Sequence, residues 1–421
     1  MRNATVVIAG GGASGTILAA AIARYAPRAA VVVVEPRERL GPGLAYSTAC
    51  PDHLLNVPAA RMSALADAPE HFVDWLSRRG EPYGAASFVP RALYGEYLAC
   101  VGAGLRHVRA RVCDASLEER GLRICLDTGE SLDGDALVLA LGNAAPARWP
   151  GVPALAAHRF FASAWEAGAL ESAGDEHVLL LGTGLTAVDA VLGLRFNGHR
   201  GPISMLSRRG LLPHEHRVFD APPGGGSDWR TRVDAVRPQS NAIWQRMPLA
   251  EKRRFLRHLM PYWTIHRHRM APEVARALAA EIAAGTLRML AGRTGELAAT
   301  ARSLRVPLRV RGSGERITIQ ASRAINCSGP EHDVRRLGNP LIDRLLQRGL
   351  MVPHPLGVGI ETRDDGALCV SGGVAAPLYA IGPVRFGTLI ETTAIPEIRA
   401  QANDLARKLS AAACGADSLA G

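Results

Sequence analysis

The stretch that decides the fold is VVIAGGGASG, residues 6–15. It places Gly10, Gly12 and Gly15 directly after a run of β-branched residues and before an alanine-rich segment typical of a helix. In a dinucleotide fingerprint, such glycines allow a tight turn, close approach of the backbone to a pyrophosphate, and close packing of helix on strand. The free N–H groups and the dipole at the helix start attract phosphate. The sequence therefore predicts a dinucleotide site near the start of the chain.

The same pattern occurs a second time. Residues 178–187 read VLLLGTGLTA. Gly182, Gly184 and Ala187 have the same spacing as Gly10, Gly12 and Gly15. A single glycine pattern of this kind is a weak signal, but a repeated one with matching context is much more specific. Two such sites predict two bound nucleotides, and two nucleotides in one chain indicate electron transfer between them.

The two sites differ in the strand that follows each glycine turn. The first of these strands, AVVVVE, ends on Glu35, and a carboxylate there can accept hydrogen bonds from an adenosine ribose. The second, PISMLS, ends on Ser207 and is followed by Arg208 and Arg209. Guanidinium groups suit a 2′-phosphate, although a solvated surface pair is the alternative in an arginine-rich chain. These ends predict FAD at the first site and NADPH at the second.

Composition excludes several classes of protein. The chain has 421 residues, enough for two or three domains at about 150 residues each. Its net charge is +10, from 49 basic and 39 acidic residues. No basic run alternates with aromatic residues, so we expect no nucleic-acid partner. The positive charge should instead attract anions, such as NADPH or a small acidic substrate.

Cysteines and apolar segments also limit the possibilities. The seven cysteines are scattered and contain no CxxC pair, which argues against disulfides, a zinc site and the flavin disulfide reductases. A strand is predicted from Thr5, leaving no room for a signal peptide. No apolar run approaches the ~20 residues of a membrane span. We therefore expect a cytoplasmic protein with no membrane partner.

The order of strands and helices predicts a discontinuous first domain. We expect an FAD-binding domain from both ends of the chain and an NAD(P)H-binding domain between them, with a helical insertion in the latter. The expected ranges are 1–150 and 320–421 for the first domain, 151–319 for the second, and about 210–270 for the insertion.

Two segments near the C-terminus refine this prediction. The strand in RAINCSGP, residues 323–330, is expected to mark the return of the chain to the first domain. A helix is expected from about Glu391 to Leu409. Glu391 could be a base that acts from behind the flavin site or a charge at the helix start, where the dipole favours it, and we prefer the second interpretation.

Several stretches resemble a bacterial group of FAD/NAD(P)-binding flavoproteins with two dinucleotide sites. The resemblance covers nearly the whole chain and rests on GGGASG, GLAYS, DHLLNVPAARMSA, FVPRALYGEYL, INCSGP and LYAIGPVRFGTLIETTAIPEIRAQA. It implies an α/β fold with two Rossmann-like domains, in which a glutathione-reductase-like FAD domain receives the inserted NADPH domain. Pro383 departs from the pattern, because many relatives carry an Asp there that holds a ribityl hydroxyl.

A second resemblance concerns the chemistry. LNVPAARMSALADAP, residues 55–69, is similar to the segment of flavin-containing and N-hydroxylating monooxygenases that carries an Asn beside the flavin. The resemblance implies that Asn56 is catalytic and holds a C4a-hydroperoxyflavin while water is excluded. The alternative is that Asn56 caps a helix or fixes a loop. The segment His158–Trp165 is a weaker match to the histidine and aromatic fingerprint of the same enzymes.

The residues expected to bind cofactors come from these motifs. For FAD they are Gly10, Gly12, Ala13, Ser14, Gly15, Glu35, Pro36, Arg37, Leu55, Asn56, Arg91, Gly142, Gly382 and Thr392. For NADPH they are Gly182, Gly184, Leu185, Thr186, Ser207, Arg208 and Arg209. The histidine pairs in HEH (214–216) and HRH (266–268) lack the spacing of a metal site, so we expect no metal. They could still line a substrate cleft.

Three hypotheses of function follow. The favoured one is an NADPH-dependent flavin monooxygenase that uses molecular oxygen on a small nucleophile, with N-hydroxylation of an amine preferred. The second is an NAD(P)H-dependent flavoprotein reductase of a quinone or electron carrier, which needs no Asn56. The third is a non-catalytic flavoprotein that regulates a partner. The sequence does not identify the substrate.

Overall fold

The computed structural model describes residues 4–153, 158–216, 228–300, 302–372 and 376–415. The strands and helices before the second glycine turn are β1 (Thr5–Ala9), α1 (Ala13–Tyr25), β2 (Ala30–Val34), α2 (His71–Arg78), α3 (Arg91–Val101), β3 (Arg106–Val108), β4 (Val112–Glu118), β5 (Gly121–Leu126), β6 (Ser131–Gly134), β7 (Ala136–Leu139), β8 (Phe160–Phe161) and β9 (Val178–Leu181).

The elements after that turn complete two sheets and a group of helices. They are α4 (Leu185–Phe196), β10 (Ile203–Ser207), α5 (Trp229–Val236), α6 (Ser240–Arg246), α7 (Leu249–Arg254), α8 (Met260–Arg267), α9 (Pro272–Ala283), β11 (Leu287–Thr294), β12 (Ala298–Ala299), β13 (Leu304–Val310), β14 (Arg316–Ala321), β15 (Arg323–Asn326), α10 (Pro340–Gln347), β16 (Leu378–Ala380) and α11 (Ile395–Gly415).

Two parallel sheets form the framework. The first has the order β3-β2-β1-β7-β16, and we call the elements around it the first unit. The second has the parallel order β11-β10-β9-β15-β8, extended by antiparallel β12 to β14, and forms the second unit. In each sheet the strand before the glycine turn lies centrally, with the next strand of the chain beside it. The predicted α/β fold with two Rossmann-like units is therefore confirmed.

Both faces of the first sheet are covered. On β1, Val6 and Ile8 belong to one buried cluster with α1, α3 and α11, whereas Val7 and Ala9 belong to another with the antiparallel strands and α10. Side chains alternate between the faces of a strand, so β1 must be apolar at every position to fill both clusters. This explains why the stretch VVIA lacks the polar alternation of a half-exposed strand.

The two glycine turns have the same steric origin. Gly10 has φ +106°, and a Cβ there would lie 2.5 Å from the carbonyl oxygen of Ala140, just beyond β7. Gly182 has φ +145°, and a Cβ there would collide with the carbonyl oxygen of Cys327, just beyond β15. Each central strand thus turns against the end of its neighbour in the sheet. Only glycine combines this backbone conformation with this contact.

The strand in RAINCSGP lies elsewhere than expected. As β15, it pairs with β9 and β8 in the second sheet. It is thus the last strand of the second unit, and the chain returns to the first unit after it. Pro330 then forms an isolated bridge with Pro146, so the outgoing and returning connections lie side by side. The domain limits at 150 and 320 stay a prediction, but β15 belongs to the second unit.

The C-terminal helix begins later than predicted. α11 starts at Ile395 rather than near Glu391. Pro396 is tolerated in a first helical turn but would disrupt a helix that had begun at Glu391. In addition, the backbone N–H and carbonyl of Glu391 are hydrogen-bonded to the side chain of Asn241 at 2.8 and 2.9 Å. The interpretation of Glu391 as a helix-start charge is therefore wrong.

The helical insertion is present between β10 and β11. Four helices, α5 to α8, occupy Trp229–Arg267, and α9 leads from them into β11. Part of the predicted insertion, residues 217–227, falls outside the described residues. Within the described part of the chain, no helix has the length and apolarity to span a bilayer.

Replacing Gly182 by Ala should destabilise the second unit. The new Cβ would meet the Cys327 carbonyl, and the residue would hold a left-handed φ that costs about 1–3 kcal/mol for a non-glycine residue. We expect a clearly lower midpoint of thermal unfolding. Gly84→Ala is the control, because no atom lies within 4 Å of its Cβ position and its φ is not left-handed. Equal midpoints for the two variants would contradict this explanation of the turn.

Candidate functional site

The residues predicted to surround FAD converge from three parts of the chain. Ser14, in the first turn of α1, lies against Gly382 so closely that a Cβ on Gly382 would be 2.8 Å from its Oγ. The hydroxyl of Thr392 donates to the carbonyl of Gly382 at 2.8 Å. Gly12 packs beside Gly43, whose Cα lies 3.5 Å from the Cβ position of Gly12. The β1–α1 turn, the end of β16 and the segment before α11 therefore meet at one edge of the first sheet.

Glu35 connects the end of β2 to the glycine turn. Its carboxylate is 4% exposed and accepts hydrogen bonds from the N–H of Gly11 at 2.9 Å and from the N–H of Arg37 at 3.1 Å. The guanidinium of Arg37 donates to the same carboxylate at 3.1 Å. Pro36, between them, turns the chain away from the strand. Because two oxygens offer about four acceptor positions, the carboxylate keeps capacity for a ribose hydroxyl.

The glycine turns fit dinucleotides on steric grounds. No atom lies within 4 Å of a Cβ placed on Gly142 or Gly184, so the backbone there faces open space. Gly184 is followed by Leu185 and Thr186, the first residues of α4, and Gly12 by Ala13, the first residue of α1. Neither helix start is capped by a side chain. Unblocked N–H groups at a helix start are a suitable site for a pyrophosphate.

A glutamine holds the turn that contains Pro383. The N–H of Gly382 donates to Gln401 Oε1 at 3.1 Å, and Gln401 Nε2 donates to the hydroxyl of Thr392 at 3.0 Å. Gln401, on α11, thus connects the N–H of Gly382 to the hydroxyl of Thr392. Since the Thr392 hydroxyl already donates to Gly382, its only proton is used within the protein. The Thr392 hydroxyl could therefore contact a cofactor only as an acceptor, because its oxygen keeps one free acceptor position.

The end of β10 is arranged around Ser207. Its hydroxyl lies 2.9 Å from that of Thr183 and accepts the N–H of Gly210 at 2.9 Å. The next two side chains, Arg208 and Arg209, have different surroundings. Arg208 is exposed and has no partner among the described residues, whereas Arg209 approaches the carbonyl of Arg257 at 3.4 Å. Arg208 is therefore the more available cation for a 2′-phosphate.

Arg91 forms an ion pair with the second unit. Its guanidinium binds both carboxylate oxygens of Asp189, at 2.6 and 3.1 Å, and also donates to the carbonyl of Leu54 at 3.0 Å. Asp189 lies on α4 of the second unit, and the two side chains are only 16% and 7% exposed. Arg91 consequently connects the two units through a buried ion pair, and its contact with the cofactor stays a prediction.

His53 reinforces this contact. Its Nε2 lies 2.8 Å from the backbone carbonyl of Asp189, and its Nδ1 lies 2.7 Å from the hydroxyl of Thr48. Burial lowers the pKa of His53, which favours the neutral ring at neutral pH. Trp165 packs edge-on at 6.0 Å between ring centroids. His53 and Asp189 were not predicted from the sequence, although a lone Asp within the apolar stretch of α4 was an available signal.

Asn56 follows this contact directly. The N–H of Leu55 donates to the carbonyl of Val89 at 2.8 Å, and Nε2 of His216 lies 2.8 Å from the carbonyl of Asn56. The side-chain amide of Asn56 is half-buried and makes no hydrogen bond to the described residues. The following 3₁₀ turn, Ala59–Arg61, is preceded by Pro58 and has no side-chain cap. Helix capping by Asn56 is therefore not observed.

The helical insertion meets the first unit through buried charges. Arg267 donates to Glu391 at 2.8 Å and to Glu397 at 3.2 Å, and Arg237 donates to Glu397 at 2.6 Å. Trp263 Nε1 adds a hydrogen bond to Glu391 at 3.2 Å. Burial raises the pKa of Glu391, and Arg267 opposes that rise. Glu391 therefore serves as the docking point of the insertion on the segment before α11.

The remaining histidines pack with aromatic and charged neighbours. His214 and His266 lie 4.6 Å apart, and both contact Trp229 at 4.6 to 4.7 Å between ring centroids. Among the residues described, no group of three or more His, Cys, Asp or Glu side chains could hold a metal ion. The pairs HEH and HRH therefore connect parts of the insertion, and one member, His216, reaches the loop of Asn56.

Comparison with known protein families supports a nucleotide-binding site at the first glycine turn. Residues 7–144 match a family model described as FAD-NAD(P)-binding. This match supports the predicted cofactors and covers the first glycine turn, Glu35, Asn56 and Arg91. A comparison with curated proteins finds no sequence match.

Solved structures resemble the chain along almost its full length. L-lysine 6-monooxygenase from Pseudomonas syringae has a TM-score of 0.73 and 17% identity, covering 98% of this chain and 99% of its own. Ornithine N-hydroxylase from Kutzneria sp. 744, solved with reduced FAD, NADP⁺ and L-ornithine, has a TM-score of 0.71 and 13% identity, covering 98% and 100%.

A reductase shares the same architecture. Thioredoxin reductase from Lactococcus lactis has a TM-score of 0.59 and 12% identity, covering 98% of this chain and 100% of its own. The chain thus carries an FAD-NAD(P)-binding region in its N-terminal third, within the two-nucleotide flavoprotein fold that these hydroxylases and this reductase share.

Proposed function

We propose that this protein is an FAD- and NADPH-dependent monooxygenase that oxygenates a small nucleophilic substrate, with N-hydroxylation of an amine preferred. The observation that carries the proposal is the state of Asn56. Its backbone is held on both sides, by Val89 and by His216, while its side-chain amide has no partner among the described residues. A fixed amide with unused donors and an unused acceptor is suited to hold a reacting group in place.

The proposed cofactor sites use the two glycine turns. Gly10, Gly12, Gly15 and Glu35 would hold the adenosine and pyrophosphate of FAD, and the turn fixed by Gln401 would lie at the flavin end. Gly184 with the start of α4, together with Arg208, would hold NADPH. When bound, the flavin accepts electrons from NADPH and activates oxygen, which is chemistry that no protein side chain supplies.

Contacts between the two units would set the position of one cofactor relative to the other. Arg91 and His53 attach α4, whose first turn would hold the NADPH pyrophosphate, to the loop that leads into Asn56. The nicotinamide would therefore be delivered to the same loop that carries the amide. The insertion, docked through Arg267 and Glu391, would cover this loop and keep water away from it.

Thiol chemistry is not favoured, although thioredoxin reductase shares the fold. Six of the seven cysteines, Cys50, Cys100, Cys113, Cys125, Cys327 and Cys369, are free, and Cys50 and Cys327 are 5% and 3% exposed. Burial raises the pKa of both thiols. Dithiol redox centres instead need a lowered pKa, because the thiolate is the reactive form. These observations support oxygenation over disulfide reduction.

Replacing Asn56 by Ala should uncouple NADPH consumption from oxygenation. We expect NADPH oxidation to continue while the hydrogen peroxide released per NADPH rises about tenfold, equivalent to a loss of about 1.4 kcal/mol of selective stabilisation. Peroxide and NADPH are measured in parallel, with lysine or ornithine as trial amines. Tyr83→Phe, which keeps the ring and removes only a hydroxyl of a side chain outside the proposed site, is the control. An unchanged peroxide ratio in Asn56→Ala would remove Asn56 from the chemistry.

Replacing Arg208 by Ala should weaken NADPH selectively. A lost charge-assisted hydrogen bond is worth about 1.5–3 kcal/mol, so we expect the KM for NADPH to rise about tenfold or more. The KM for NADH should change little, since NADH has no 2′-phosphate. Arg120→Ala, an exposed arginine remote from the site in the turn between β4 and β5, is the matched control. Equal effects on the two coenzymes would contradict the assignment of the second site.

A further inference from the structure

The insertion contributes a residue to the loop that carries Asn56. We propose that His216 is a positioning residue, which holds the Asn56 peptide in the orientation that the reaction requires; this inference rests on the proposed function. His216 belongs to the second unit, 160 positions from Asn56, and its Nε2 lies 2.8 Å from the Asn56 carbonyl oxygen. No pattern in the sequence connects these two residues.

The backbone of His216 is itself rigidly held. Its N–H donates to the carbonyl of Met270 at 2.9 Å, and the N–H of Met270 donates to the carbonyl of His214 at 2.7 Å. The N–H of His214 donates in turn to Ile265 at 3.1 Å. Met270 is 4% exposed, at the point where the insertion meets α9. The backbone that carries the imidazole is therefore held in place, so the position of the insertion determines the position of the contact with the Asn56 carbonyl.

The ring of His216 has only one possible state in this contact. A backbone carbonyl can only accept a hydrogen bond, so Nε2 must carry the proton. Burial lowers the pKa of His216 to about 4, so the ring is neutral at neutral pH and donates from Nε2 alone. Phe88 packs against the ring at 5.1 Å between centroids, which fixes its rotation. The contact is thus directional as well as short.

The consequence is that the backbone around Asn56 is hydrogen-bonded to both units. The N–H of Leu55 is bound by Val89 of the first unit, and the carbonyl of Asn56 is bound by His216 of the second. Without the second contact, the peptide after Asn56 could rotate, and the side-chain amide would move with it. The first contact would remain, so the loop would keep its place but lose its exact orientation.

A set of variants separates positioning from general stability. His216→Ala removes the donor, and His216→Gln keeps an N–H donor on a side chain of similar reach. His258→Ala is the control, because His258 is an exposed histidine of the same insertion. Two readouts are compared in all of them. One is hydrogen–deuterium exchange of the backbone amides in residues 54–62, and the other is hydrogen peroxide released per NADPH.

We expect His216→Ala to increase both quantities by about three- to tenfold, the range set by loss of one hydrogen bond. His216→Gln should restore both toward the wild-type values, and His258→Ala should match wild type. Unchanged exchange in His216→Ala would overturn the inference. Faster exchange with an unchanged peroxide ratio would also overturn it, because the contact would then be structural only. Equal behaviour of the Ala and Gln variants would exclude the hydrogen bond as the cause.

The exchange measurement needs no turnover, so it keeps this inference separate from the proposed function. A wild-type protein that oxidises no NADPH would defeat the proposed function. In that case exchange still decides whether His216 holds the segment. If the Ala variant does not fold, the Gln variant and a His216→Asn variant, whose shorter reach should not span the contact, provide the same comparison.

Discussion

The structure depends on one buried ion pair between its two units, formed by Arg91 and Asp189. The carboxylate takes two hydrogen bonds from the guanidinium, and the pair lies under the loop that leads to Asn56. Removing one partner of a buried pair costs about 3–5 kcal/mol, because the other charge is left without compensation. The contact therefore fixes where the second glycine turn stands relative to the first.

The insertion provides a second connection, independent of the first. Arg267 and Arg237 bind the carboxylates of Glu391 and Glu397 near the start of α11, and His216 reaches the carbonyl of Asn56. The loop of Asn56 is thus enclosed between α4 on one side and the insertion on the other. Under the proposed function, an amide held in this way would meet a bound cofactor without rearrangement, which is the physical advantage of a preorganised site.

Structural features that depend on neighbouring residues could be predicted from the sequence. The glycine turns could be predicted because strand, turn and helix signals lie within ten or so residues of each other. Glu391 was misjudged because its partner, Arg267, lies far along the chain. The pairing of Arg91 with Asp189 could not be predicted for the same reason. The start of α11 was misplaced because the hydrophobic pattern outweighed Pro396, whose ring sets the boundary. β15 was assigned to the wrong sheet, since parallel strands carry no local sign of their neighbours.

The central claim is that FAD and NADPH bind on the two glycine turns with their reactive rings in contact. Anaerobic mixing of the FAD-loaded protein with NADPH in a stopped-flow spectrometer tests it most directly. We expect one FAD per protein chain and rapid bleaching of the flavin absorbance, faster with NADPH than with NADH at equal low concentration. A protein that takes up no FAD, or a bound flavin that NADPH does not reduce, would contradict it.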